Sequence, residues 1–327
     1  MNAMAPSVEE QRFRETIRSL RGGEFANDLA LGSLIASVQG DARYERITRE
    51  ELAPRAGEMD LHLQGEEIVG HAANAAAFGV FVKKMADSVR IIARERMGRQ
   101  RLASDLLVEP GPGSVRVIFR TPEPVGEGAI DADGAVGIWS DPNQQSIALQ
   151  QVAQLLASAE PGSPDDATID GIVESLPPRA RPALVSAVTS ISQQDWSISG
   201  EFRQRGLGVQ PIALTRAGAA RLKIALQIKE RERKRLTTTG IFDGHRRARS
   251  LCWFIEDGTG REITAVVASP ELMAEVAVFA QDADHRVSVD FTVITTHGPG
   301  SGEAGTKSFI LESVRPAPDR APTLDDT

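Results

Sequence analysis

Residues 285–295 alternate apolar and polar side chains almost without fault. Val287, Val289, Phe291 and Val293 fall on one side; Arg286, Ser288, Asp290 and Thr292 fall on the other. That is the period of a strand with one buried face, and such a strand needs partners and a cover. The surrounding chain supplies them. Residues 236–242, 251–256 and 262–267 read as three earlier strands, the last two joined by the tight turn Asp257-Gly258-Thr259-Gly260. Residues 270–279 read as a helix, and 308–314 as a fifth strand.

The order strand-strand-strand-helix-strand-strand over residues 235–315 resembles the five-stranded OB barrel, a fold used mainly for binding. The resemblance implies a ligand groove flanked by the loop between the first two strands and the loop between the last two. His245, Arg246, Arg247 and Arg249 fall in the first loop; the second is the Gly-rich stretch 297–306, which ends at Lys307. Trp253 and Phe254 are adjacent on a strand and so point to opposite faces, one into the core and one outward as a stacking platform. Arg231, Arg233, Lys234 and Arg235 read as the last turn of a helix, where cations suit the negative end of the helix dipole. The candidate anion or nucleic-acid site is therefore His245, Arg246, Arg247, Arg249, Lys234, Arg235, Trp253 and Lys307.

The remainder reads as α+β. An N-terminal α+β domain (1–160) is followed by a second segment (167–233), the barrel (235–315) and a disordered, Pro-rich tail (316–327). Both of the first two units run helix, two strands about a Gly-containing turn, helix, the pattern of a duplicated α-β-β-α unit. Ser7-Val8-Glu9-Glu10 is a capping box, Asp141-Pro142 a helix start, and Thr215 caps a helix that continues to 233. Residues 160–166 form the linker, and 21–59 are mixed structure. The helix over 69–96 opens on small residues, so another element can approach it closely.

Charge is unevenly placed. Between Arg221 and Arg249 ten Lys or Arg stand against Glu230, Glu232 and Asp243, a net +7 that leaves −15 for the rest of a chain whose total is −8. No apolar run reaches the roughly 18 residues needed to cross a bilayer, and the N-terminus has no export signal. The single Cys252 permits neither an internal disulfide framework nor a thiolate zinc cluster, which points to the cytoplasm. Gly300, Gly302 and Gly305 imitate a dinucleotide fingerprint, but a strand rather than a helix follows them. His62, Glu66, Glu67 and His71 lack the spacing of a metal site. Asp131-Ala132-Asp133-Gly134 is a turn rather than a calcium loop. The expectation is a non-enzymatic cytoplasmic binding protein, without cofactor or metal, whose barrel takes single-stranded nucleic acid or another polyanion. The alternative is an adaptor or assembly subunit that binds a protein partner or itself.

Overall fold

The computed structural model describes the chain apart from residues 1–6, 21–24, 55, 66–67, 69–72, 98–105, 112–114, 123–142, 162–167, 206, 228–231, 283–284, 297–305 and 318–327. Helix α1 (Val8–Leu20) opens with the expected capping box: the Glu10 amide donates to Ser7 Oγ at 3.2 Å, and the Ser7 amide donates to the Glu10 carboxylate at 3.0 Å. Residues 21–59, read from sequence as mixed structure, instead hold α2 (Phe25–Ser37), α3 (Ala42–Glu51) and the start of a strand. Neither helix shows an apolar stripe. α2 is apolar nearly all round, and α3 offers only Tyr44 and Ile47, which join Phe13 and Ile17 in a small core of their own.

The body is an antiparallel sheet of β1 (Glu58–Gln64), β2 (Leu107–Pro110), β3 (Arg116–Arg120), β4 (Ser197–Gln204) and β5 (Gly208–Leu214), in the order β2-β3-β1-β4-β5. The two hairpins expected from sequence are thus β2-β3 and β4-β5, and β1 joins them. α4 (Ala75–Met97), α5 (Gln144–Ala157), α6 (Ile169–Ser175), α7 (Arg181–Gln193) and α8 (Arg216–Gln227) contribute with the inward side of the sheet to one apolar core. Sheet and core run across the 160–167 division. The helix start assigned to Asp141-Pro142 is corrected: those residues lie outside the described ones, and Asn143 is the cap, its side chain accepting from the Ser146 amide at 2.7 Å.

The polar side of the sheet carries an ion-pair ladder. Glu58 receives Arg120 Nε and Arg203 Nε, each at 2.8 Å, and Asp60 receives Arg116 Nε at 2.8 Å. Burial alone would raise the Asp60 pKa, but the Arg116 guanidinium overrides it and holds the carboxyl below its ordinary value. A group whose pKa is lower in the folded state adds stability above its unfolded pKa and loses it as pH falls. The melting temperature should therefore hold level down to about pH 5 and drop below about pH 4, where an unfolded Asp begins to take up its proton. The Asp60→Asn variant should show a shallower acid limb in thermal melts across that range; an unchanged limb would remove Asp60 from the account.

The C-terminal barrel consists of β6 (Glu232–Arg246), β7 (Leu251–Glu256), β8 (Glu262–Val267), helix α9 (Pro270–Phe279), β9 (Val287–Thr296) and β10 (Thr306–Pro316). Its closed order is β6-β7-β8-β10-β9 and back to β6, with β8 and β10 parallel and the other pairs antiparallel. This is an OB-like barrel with its helix between the third and fourth strands. Val287, Val289, Phe291 and Val293 are all buried in its core, as their alternation predicts. Two boundaries are corrected. The first strand starts at Glu232 rather than 236, so Arg233, Lys234 and Arg235 sit on a strand and do not end a helix; α8 stops at Gln227. Pairing with β9 wins over the helical preference of that charged run. β10 likewise runs on through Pro316, a position read as tail.

Candidate anion-binding surface of the barrel

β6 carries basic residues at both ends, and the two ends are built differently. At its C-terminal end His245 and Arg246 belong to the strand itself, and a single 3-10 turn, Arg247–Arg249, leads into β7. The loop is short and its backbone is held. Gln150 Nε2 on α5 donates to the Arg247 and Ala248 carbonyls at 3.2 and 3.1 Å, and Gln154 Nε2 donates to the Arg249 carbonyl. Nearby, Leu251 and Val266, paired on the outer wall of β7 and β8, are buried in the body's core. The turn is therefore docked on the body, while the Arg246 and Arg247 side chains remain exposed.

Trp253 is the outward member of its pair and Phe254 the inward one: Phe254 is fully buried, whereas Trp253 is half-buried with the Arg246 guanidinium 5.8 Å above its ring. A cation over an indole face keeps its outer donors while gaining attraction from the ring. Burial, together with the charge of Arg247, pushes His245 below its usual pKa, so at neutral pH it adds no positive charge. Cys252, fully buried beneath this surface, has its thiol pushed up to about 12 by burial, and it is inert as a nucleophile.

At the N-terminal end, Arg233, Lys234 and Arg235 lie where β6 runs beside β9. Helix α6 crosses the barrel wall here, with Gly171 facing Val266, Ser308 and Ile310. Glu174 on α6 is bridged by Arg233 and, at 3.2 Å, by Arg181, which ties the barrel to the body. One strand further along, Asp290 accepts from Thr237 Oγ1 at 2.6 Å and Ser313 Oγ at 2.8 Å, with Arg235 and Arg315 at 3.5 and 3.3 Å. Those hydroxyl hydrogen bonds, more than the arginines, hold the Asp290 carboxyl below the usual range.

The candidate residues thus fall into two groups on opposite ends of β6: His245, Arg246, Arg247, Arg249 and Trp253, and separately Lys234 and Arg235. Lys307 stands exposed at the start of β10. Residues 297–305 of the Gly-rich loop and Arg231 lie outside the described residues, as do Glu66, Glu67, His71 and the 131–134 turn. Sequence reasoning missed Gln150, Gln154, Glu174 and Asp290. Gln150 and Gln154 stand one turn apart on α5 and are both buried, but α5 also carries Gln144, Gln145 and Gln151, so nothing in the sequence singles them out. Among the described residues no cluster of His, Cys, Asp or Glu could hold a metal ion, and no helix is long and apolar enough to cross a membrane. No family model, characterised protein or solved structure matches the chain.

Proposed function

We propose that the chain is a non-enzymatic, cytoplasmic binding protein whose OB-like barrel takes a polyanion, single-stranded nucleic acid in the first instance, on the side marked by Arg246, Arg247 and Trp253. The observation that supports this reading is the pairing of exposed cations with an outward indole on a turn whose backbone is already fixed by Gln150 and Gln154. Fixing the turn beforehand lowers the ordering cost of binding. Phosphates would meet the guanidinium groups, and a base would stack on Trp253. Nothing at this surface supplies a bidentate set for reading a particular base, so little sequence preference is expected.

Reversing the charge of Arg246 and Arg247 together should weaken binding to an oligonucleotide and reduce the log–log salt slope by roughly 1.4 on single strands. Filter binding at several salt concentrations, with circular dichroism to verify the fold, reads both. Failure of the parent protein to bind single-stranded DNA or RNA at low salt would sink the reading. The second reading, an adaptor subunit, is favoured by one specific observation. β2 pairs only with β3 among the described residues and leaves Leu107 53% and Val108 39% exposed, an apolar sheet edge suited to a partner strand. Retention on heparin at two salt concentrations separates the two, since only the polyanion reading predicts salt-sensitive retention lost in the Arg246/Arg247 variant.

A further inference from the structure

The seam between α6 and the barrel forms an open groove of about 460 Å3, within the ordinary size of small-molecule sites. Its floor is the outer wall of the barrel. Arg235, Thr292 and Ile310 sit in register across β6, β9 and β10, so two strand spacings, ~10 Å, separate the guanidinium strand from the Ile310 strand. Ser175, from the end of α6, adds a hydroxyl, and Glu312 on β10 is an exposed acceptor at the far side.

The charges in this groove do not cancel. Glu174 is already met by Arg181 and Arg233, so it does not draw on Arg235. The carboxylate nearest Arg235, Asp290, takes its close hydrogen bonds from Thr237 and Ser313, and Arg235 reaches it only at 3.5 Å with 76% of its side chain exposed. Most of the five guanidinium donors therefore remain available. Lys234, tied to Glu232 at 2.9 Å and in register with the inward Val293, belongs to the other face of β6.

We propose that this seam binds a small phosphate monoester carrying hydroxyl or amino donors. The phosphate would lie against Arg235, the organic part against Ile310 and Thr292, and a donor group would face Glu312. A guanidinium fork matches a phosphate in bidentate fashion, and the apolar floor and acceptor give the remainder of the ligand a fixed place. α6 closes one side of the seam, which suits a free small molecule better than a continuous strand. The proposal does not rest on the polyanion reading, which uses the other end of β6.

Calorimetric titration of the full chain at low salt tests it, with adenosine 5′-monophosphate and inorganic phosphate as probes and adenosine as the uncharged control. The expected result is binding of the nucleotide, weaker binding of phosphate and none of adenosine. Arg235→Gln should lose about tenfold or more, the worth of a charge-assisted hydrogen bond; loss of the titration on reversing Arg246 and Arg247, with Arg235→Gln silent, would overturn the proposal. A short 5′-phosphorylated oligonucleotide that binds when the mononucleotide does not would overturn the proposal while sparing the polyanion reading. So would equal affinities of the parent and Arg235→Gln proteins, or no binding of either phosphate probe.

Discussion

Truncating Phe254 to alanine is expected to cost about 3–5 kcal/mol of folding stability, the range for removing a fully buried phenyl ring. The barrel has few aromatics, and it places them in one line. Phe254 on β7 meets Phe242 on β6 and Phe291 on β9 edge-to-face, each with ring centroids 5.5 Å apart, and Phe291 meets Phe309 on β10 at 6.0 Å. Removing the second ring of that line loses its buried area and two T-shaped contacts at once. The surrounding β-strands are tied into a closed ladder and cannot collapse into the void. Denaturant unfolding followed by tryptophan fluorescence and circular dichroism gives the number. A loss below about 1 kcal/mol would mean that the aromatic line is not the barrel's main support.

The second large effect is expected at Gly240. β6 changes partners at this residue, which pairs with Val287 on β9 and with Glu256 on β7. The strand can bend there because the β7 backbone comes against its α-carbon. A Cβ at this position would fall inside contact distance of the Ile255 carbonyl oxygen and meet Phe254 Cζ at 2.6 Å. Neither is the free end of a flexible chain, so the ladder itself must part. Gly240→Val should cost about 3 kcal/mol or more. Gly244→Ala, on the same strand, provides the control: its Cβ would meet only Trp253 Cε3, at an ordinary 3.6 Å, and the change should stay below about 1 kcal/mol. Equal effects at the two positions would rule out the close approach at Gly240 as the cause.

The barrel was legible in the sequence because β9 alternates and the short apolar runs around it are bounded by turn residues. Val287, Val289, Phe291 and Val293 announced both their strand and their inward face, and the turn at Gly258 and Gly260, both at positive φ, gave the hairpin. Its first strand was only partly legible. Residues 232–235 are Glu-Arg-Lys-Arg, good helix formers, and what makes them a strand is β9, some sixty residues away in the chain. The body was harder for a similar reason: β1 carries Glu58 and Asp60, and its central place depends on arginines from β3 and β4 that no local pattern connects to it. For the candidate surfaces, sequence supplied the cations and not their surroundings. Arg246 and Arg247 were evident as a basic run, but their docking on α5 was not, because a glutamine at 150 does not say which carbonyl it will meet. Lys234 and Arg235 stood in the basic run, but the seam around them was not legible, since its walls come from α6 and from three strands scattered over residues 233–312.

β10 is the last of the barrel strands in chain order, and it alone joins the parallel edge at β8 to the antiparallel edge at β9. During synthesis, residues leave the ribosome at a few to some tens per second, and earlier segments fold first. For the roughly one to four seconds between the emergence of β9 and that of β10, four strands form an open sheet with two unpaired edges, and α6 has no finished wall to lie on. The nascent body must hold its Gly171 side uncovered for that interval. Timing, rather than final stability, then decides whether the chain reaches its barrel or pairs with a neighbouring copy on the same message, and slow codons between β9 and β10 would lengthen that exposure.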